Sequence, residues 1–136
     1  MHRLFPGPVV ELDRDGLTTA YAVPDPPSDG SYVRANFVLS ADGAAELGGS
    51  SRPLSTAADL RVLSMLRGLC DVVLVGAATV RAENYGPARP DVARQDWRRR
   101  HGLAPIPHIA VVSGRLDLDP RSRLFTQSVA RPPIRS

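Results

Sequence analysis

The fold is decided by a stretch in the middle of the chain, Asp71-Val-Val-Leu-Val-Gly-Ala-Ala-Thr-Val80. Its first half is a continuous aliphatic, mostly β-branched run between an aspartate and a glycine. Such a run is typical of a strand buried on both faces, and such strands are usually parallel. Directly after Gly76, residues 77–83 predict a short helix. A strand that passes through a glycine turn into a helix indicates an α/β fold.

The element before this stretch is the clearest helix in the sequence. Four leucines recur every three residues: Leu60, Leu63, Leu66 and Leu69. At its start, Thr56 and Asp59 form a capping pair, in which the hydroxyl accepts a backbone N–H and the carboxylate favours the positive helix end. The stripe predicts a helix packed in a core, with Cys70 buried at its end rather than acting as a nucleophile.

Two further strands flank these elements. Residues 109–112 predict a second buried strand, and a helix is expected around residues 91–100 in the connecting loop. Nearer the N-terminus, apolar and polar residues alternate over 33–40, which predicts a strand with one buried face that ends at the Asp42-Gly43 turn. The order of elements is therefore strand, helix, strand, helix, loop, strand.

Composition limits the class of protein. With 136 residues, 43% of them hydrophobic, the chain is long enough for one modest domain. We expect an irregular, proline-rich leader over 1–31, the folded elements over 32–125 and a disordered tail over 126–136. The single cysteine excludes an internal disulfide framework, and the longest apolar run is far shorter than the ~18 residues of a membrane span. A cytoplasmic protein with no membrane partner is expected.

The basic residues suggest a second class of function. All 17 Lys-plus-Arg residues are Arg, an excess that we attribute to codon usage, and the net charge is +3. Trp97 beside the run Arg98-Arg99-Arg100 could bind nucleic acid by stacking and phosphate contacts. A solvated surface is the simpler interpretation, and we expect no nucleic-acid partner. The histidines lack the spacing of metal ligands, so no metal is expected.

Two predicted strand ends carry groups suited to anions. At the first, Gly76 opens a helix start with free N–H groups and Thr79 adds a hydroxyl; the alternative is a glycine needed only for packing. At the second, Ser113-Gly114-Arg115 combines a hydroxyl, an open backbone and a planar guanidinium. The alternative there is an ordinary polar turn.

The order and spacing of these motifs resemble the riboflavin-biosynthesis reductase family, the C-terminal domain of the bifunctional deaminase/reductase. That family shows a Ser-Leu-Asp-Gly turn after its first strand, and this chain has Ser40-Ala-Asp-Gly43. The resemblance continues through Leu54-Ser55 and the strand that ends at Gly76. It includes Thr79-Val-Arg-Ala-Glu-Asn-Tyr-Gly-Pro87, where the family carries an acidic pair or a close variant.

The resemblance implies a dihydrofolate-reductase-like fold, with a mostly parallel sheet flanked by helices. It implies NADPH-dependent reduction of the ribosyl chain of 5-amino-6-(5-phosphoribosylamino)uracil, a phosphorylated pyrimidine, to its ribityl form. The protein's contribution would be positioning and electrostatics. The residue roles that the resemblance implies are cofactor binding by Gly76, Thr79, Ser113 and Arg115, substrate binding by Asn36, Ser40, Glu83 and Asn84, and assistance with protonation by Asp42. For Asp42, a turn aspartate that caps Gly43 is the alternative.

The chain departs from the family near its end. Family members continue with further strands and a Gly-Gly turn over the cofactor pyrophosphate, whereas the Gly48-Gly49 pair lies elsewhere. The expectation is therefore an incomplete sheet that lacks its C-terminal strands, with residues 32–125 as the N-terminal part of a reductase domain. The alternatives are an inactive truncated fragment, or a family member that acts on another pyrimidine or pterin-like substrate. A homodimer is allowed by the sequence but not required.

Overall fold

The computed structural model describes residues 1–23, 30, 32–128 and 134–135. The chain divides into two compact units. One consists of Met1–Leu47 and Ser51–Leu69, and the other of Gly48–Ser50 and Cys70–Ser136. The domain limits expected at residues 32 and 125 stay a prediction.

The first unit contains a small hairpin and two helices. Strands β1 (His2–Arg3) and β2 (Val10–Glu11) pair antiparallel, with His2 opposite Glu11. Helix α1 spans Arg14–Ala20, a 3₁₀ turn spans Arg52–Leu54, and helix α2 spans Ala57–Leu69.

The expectation of an irregular leader was wrong for residues 1–23. Helix α1 begins after Asp13, whose carboxylate accepts a hydrogen bond from the Gly16 N–H at 2.8 Å. This aspartate cap offsets an otherwise unpaired helical N–H, so a short helix forms before the prolines are reached. Pro24, Pro26 and Pro27, on which the expectation rested, lie outside the described residues.

The helix predicted from the leucine stripe is confirmed as α2. The Asp59 N–H donates to Thr56 Oγ1 at 3.1 Å, as the capping pair predicted. Met65 and Gly68 are buried on this helix, whereas Leu60 is 52% exposed.

The strand predicted over residues 33–40 was wrong. The segment has no strand pairing, and the apolar residues expected on its buried face are exposed: Val33 89%, Phe37 81% and Leu39 58%. A strand needs backbone partners on a neighbour, and none of the described residues supplies them here. Instead the Arg34 guanidinium donates to the Tyr21 carbonyl at 2.6 Å.

The second unit is built on a parallel sheet with the order β3-β4-β5. Strand β3 spans Val72–Gly76, β4 spans His108–Val112 and β5 spans Ile134–Arg135. The helices of this unit are α3 (Ala77–Ala82), α4 (Val92–Arg100) and α5 (Arg123–Thr126). The predicted helix after Gly76, the helix around residues 91–100 and the strand over 109–112 are all confirmed.

Burial on both faces of β3, expected from its apolar run, was wrong. Val73 and Val75 pack against the core, but Val72 is 46% and Leu74 67% exposed. The core lies on one face of the sheet and consists of Ala77, Val80, Ile109, Val111 and Leu124. Uniform apolar composition therefore did not distinguish a strand covered on one face from a strand covered on both.

The tail expected to be disordered contains regular structure. Helix α5 ends at Thr126, and β5 pairs parallel with β4, with Val111 opposite Ile134. The rest of the predicted tail after residue 128 lies outside the described residues. Two residues carry too little periodicity to predict a strand, so only the pairing reveals it.

The sequence predicts that the arginine run is a solvated surface, and this prediction is wrong for Arg98. Arg98 is fully buried, whereas Arg99 and Arg100 are exposed. The Arg98 guanidinium donates to the carbonyl of Ala104 at 2.6 Å and of Cys70 at 2.7 Å. Burial lowers its pKa, an effect that the neighbouring Cys70 and Asp71 oppose.

Candidate site at the carboxyl edge of the parallel sheet

The register of β3 and β4 brings the two predicted anion-binding corners to one edge of the sheet. Gly76 lies opposite Val112, so the residues that follow each strand leave the sheet side by side. Neighbouring strands are about 4.8 Å apart. In open α/β sheets this carboxyl edge is where ligands bind.

The first corner has open space above its backbone. Gly76 precedes α3 with φ −75° and ψ 144°, and no side chain caps the start of this helix. A Cβ built on Gly76 would meet nothing within 4 Å, so the glycine is not required here by packing. Thr79, one turn into α3, is exposed. The first turn of α3 thus combines backbone N–H groups that have no intrahelical acceptor with an exposed hydroxyl residue.

The second corner combines a buried hydroxyl residue with an exposed guanidinium. Ser113 is only 6% exposed, whereas Arg115 is exposed. A Cβ on Gly114 would also meet nothing within 4 Å. Leu116 takes the left-handed conformation at φ 53°, which turns the chain sharply after Arg115.

Glu83 and Asn84 lie at the other end of α3 from Gly76. The helix has six residues and is therefore about 9 Å long. Asn84 takes the left-handed conformation at φ 46°, and the Tyr85 N–H donates to the Val80 carbonyl at 3.0 Å. These are features of a Schellman helix end, so Asn84 has a structural role that the sequence did not predict.

The remaining predicted residues lie in the first unit. The Ser40 hydroxyl donates to the Asp42 carboxylate, and the Ala44 N–H donates to Ser40 Oγ at 3.0 Å. The bond from the Ser40 hydroxyl, followed by a bond from the Ala44 N–H to Asp42 Oδ1 at 3.5 Å, holds the pKa of Asp42 below its usual value. Gly43, at φ 87°, completes the turn, and Asn36 is exposed. The geometry is that of a capped turn with an ionised carboxylate at neutral pH.

Two arginines outside the set predicted from the sequence share one hydrogen-bond acceptor. Arg89 Nη2 and Arg123 Nε both donate to Gln127 Oε1, at 2.8 and 3.4 Å. The Arg123 guanidinium also lies 3.4 Å from the position of a Cβ on Gly86. Two cations thus converge on one neutral oxygen, which is the donor arrangement that an oxyanion prefers. Because these residues are 34 positions apart, no local motif could have indicated the pair.

Trp97 makes its ring contacts within the chain. It stacks on His101 with ring centroids 3.9 Å apart, and the Arg94 guanidinium lies 5.2 Å from its centre. Within the described ranges, no three His, Cys, Asp or Glu side chains are grouped in a way that could hold a metal ion. Nor does the described part of the chain contain a helix with the length and apolar character needed to cross a membrane.

Comparison with known proteins found one family and a similar solved structure. The family model described as the RibD C-terminal domain matches residues 31–135. Five solved chains match the structure. One is a pyrimidine reductase-like protein from Corynebacterium diphtheriae, with a TM-score of 0.67 and 33% sequence identity over 72% of this chain. The match spans 41% of that chain's length. No curated protein matches.

These similarities agree with the fold class expected from the sequence. The mixed α/β architecture with a small parallel sheet is consistent with a dihydrofolate-reductase-like fold. The individual site residues are not assigned by either comparison, and their roles stay predictions.

Proposed function

The chain belongs to the RibD C-terminal domain family, and we propose that it is an NADPH-dependent reductase of riboflavin biosynthesis. The proposed reaction reduces the ribosyl chain of 5-amino-6-(5-phosphoribosylamino)uracil to the ribityl form. The observation that carries the proposal is the pairing of Gly76 with Val112, which puts two donor-rich corners at one edge of a parallel sheet. The likeness to a pyrimidine reductase-like protein supports the same class of substrate.

The donors at this edge fit a phosphorylated dinucleotide. Open space over Gly76 allows a pyrophosphate to approach the backbone, and Thr79 adds a hydroxyl donor. Arg115, exposed at the second corner, supplies a fork of donors for a further phosphate, with Ser113 beside it. When bound, the nicotinamide supplies the hydride for the anomeric carbon of the opened sugar.

The substrate-binding roles that the resemblance implies are proposed residue by residue, each within its own unit. Glu83 and Asn84 would bind the ribose, and the Arg89–Arg123 pair suits the substrate phosphate. For the turn in the first unit, Asn36 and Ser40 would bind substrate. Asp42 has a lowered pKa and is ionised at neutral pH. It would therefore accept a hydrogen bond from the group that donates the proton, and so orient that group, rather than deliver the proton itself.

The cofactor half of the proposal is tested at Gly76. In the free protein a Cβ there meets open space and φ is negative, so Gly76→Ala should fold with an unchanged Tm. With NADPH at about 100 times its Kd, the wild type should gain about 2.7 kcal/mol of stability, seen as a rise in Tm, and Trp97 fluorescence provides a second readout. Gly76→Ala should lose most of this gain, because its methyl group occupies the space over the backbone.

An unchanged Tm of the wild type at millimolar NADPH would exclude the cofactor assignment. An equal rise in Tm on adding NADPH to the wild type and to Gly76→Ala would instead show that the cofactor does not bind at this corner. NADH is the matched ligand, because it lacks only the phosphate that Arg115 is proposed to bind, and we expect it to bind more weakly.

The substrate half is tested by turnover. Incubation with NADPH and the phosphoribosylamino-pyrimidine should give a product heavier by the mass of one hydrogen molecule. Cofactor binding without this product favours the competing proposals, an inactive protein or a family member that reduces another pyrimidine or a pterin-like compound. A dihydropterin offered in parallel separates these two proposals: its reduction favours a family member with another substrate, and no reduction favours an inactive protein.

A further inference from the structure

One long-range hydrogen bond links α3, the helix at the first corner, to the loop that follows β4 at the second corner. Arg81 lies in the last turn of α3, the helix that begins at Gly76, and its Nη1 donates to the carbonyl of Asp117 at 2.8 Å. Asp117 belongs to the loop that leaves β4 through Ser113. The two bonded residues are 36 positions apart in sequence.

The loop after β4 has few other constraints. Within residues 114–117 the backbone forms no helix or strand, and Leu116 occupies the left-handed region at φ 53°. Inside the loop, the Leu118 N–H donates to the Leu116 carbonyl at 2.9 Å, and Leu118 packs against the core. Within residues 70–128, the hydrogen bond from Arg81 is the one that connects residues 114–117 to a helix or strand.

We infer that Arg81 is a positioning residue, which holds the loop bearing Arg115 at a set place relative to the start of α3. The bond closes a ring that runs from Gly76 along α3, across to Asp117, back through the loop to β4, and across the sheet to β3. Without it, only Leu118 anchors the loop, and the guanidinium of Arg115 samples more positions. The consequence for ligand affinity rests on the proposed function; the restraint on the loop does not.

A double-mutant cycle tests whether Arg81 acts through Arg115. We expect Arg81→Ala and Arg115→Ala each to weaken NADPH binding by about tenfold, the loss of a charge-assisted hydrogen bond. If Arg81 only holds the loop that presents Arg115, adding Arg81→Ala to Arg115→Ala should weaken NADPH binding little further. Arg81→Lys, which keeps a charged donor, should recover most of the affinity. Fully additive losses would overturn the inference.

A second measurement does not depend on any ligand. In the free protein, Arg81→Ala should speed hydrogen exchange of the Leu118 amide while leaving the amides of β4 unchanged. Arg121→Ala removes the same charge from an exposed position in the same unit and should change neither exchange nor affinity. Unchanged exchange at Leu118 in Arg81→Ala overturns the inference. Failure of the wild type to bind NADPH overturns the proposed function, and exchange then still decides the restraint on the loop.

Discussion

At the scale of single residues, the structure gives two predicted site residues a local structural role. Asn84 ends α3 in the left-handed conformation, and Asp42 accepts hydrogen bonds within its own turn. Each role explains the residue type without a ligand, because Asn tolerates positive φ and Asp accepts from nearby donors. Experiments on these residues must therefore separate a change in stability from a change in binding.

For Asn84, two substitutions make that separation. Asn84→Ala should lower the free energy of unfolding by about 1 kcal/mol, because alanine pays a steric cost in the left-handed region, whereas Asn84→Gly should be nearly neutral. Urea denaturation measures both. If the amide also binds substrate, Asn84→Gly should raise KM with unchanged stability. Equal destabilisation by the two substitutions would contradict the helix-end role.

For Asp42, the prediction concerns pH. Its folded-state pKa lies below the ordinary 3.8, so its contribution to the turn is fully present above that value and is lost as the pH falls through the lower folded pKa. Titration of the carboxyl followed by NMR should give a midpoint below 3.8. Ser40→Ala removes the largest cause of the shift and should move the midpoint upward. The same midpoint in both proteins would show that Ser40 does not stabilise the carboxylate.

At the scale of elements, Arg98 joins α4 to the start of β3. Its guanidinium reaches the Cys70 carbonyl, two residues before the strand, and the Ala104 carbonyl in the loop after the helix. Gly102, at φ 73°, lets the chain turn back, and the Leu103 N–H donates to the Arg98 carbonyl at 3.0 Å. One side chain thus donates to two backbone carbonyls that belong to residues outside the helices and strands.

Replacement of Arg98 should therefore cost far more than replacement of a neighbouring arginine. Arg98→Met should lower the free energy of unfolding by about 3 kcal/mol, because a fully buried side chain loses two charge-assisted hydrogen bonds. Arg100→Met, on the same helix but exposed, should change it by less than about 0.5 kcal/mol. Guanidinium denaturation compares the two variants. Similar midpoints would mean that Arg98 is solvated in solution.

At the scale of the whole molecule, the structure separates the sheet's two faces. Helices α3 and α5 supply Val80 and Leu124 to the buried face, whereas Leu74 on β3 is 67% exposed. Residues that look equivalent in an apolar run therefore differ in what they contribute to stability. The hydrophobic contribution scales with the apolar area removed from water, so only one face contributes strongly.

Two leucines provide a matched test of this asymmetry. Leu124→Ala removes a fully buried side chain and should cost about 3 kcal/mol, including the cavity that is left. Leu74→Ala removes the same atoms from an exposed position and should cost less than about 0.5 kcal/mol. Urea denaturation of both variants checks the difference. A large cost for Leu74→Ala would show that its face of the sheet is covered in solution.

The sequence by itself determined the elements whose hydrogen bonds and packing pattern are local. The capped helix α2, the passage from β3 into α3, and strand β4 were all predicted, because their signals lie within a few residues. The parallel character of β3 and β4 also placed both candidate corners at one edge of the sheet. The family resemblance followed from the order and spacing of short motifs, from the Ser40-Ala-Asp-Gly43 turn to residues 79–87.

Only the tertiary structure decided what depends on partners far away in the chain. The alternating segment over residues 33–40 forms no strand, because alternation selects a face but cannot supply a neighbouring strand. Burial of Arg98 and exposure of Leu74 depend on which distant carbonyls and side chains reach them. The bond from Arg81 to Asp117 joins residues that no local pattern relates, on the segments that follow the paired strands β3 and β4.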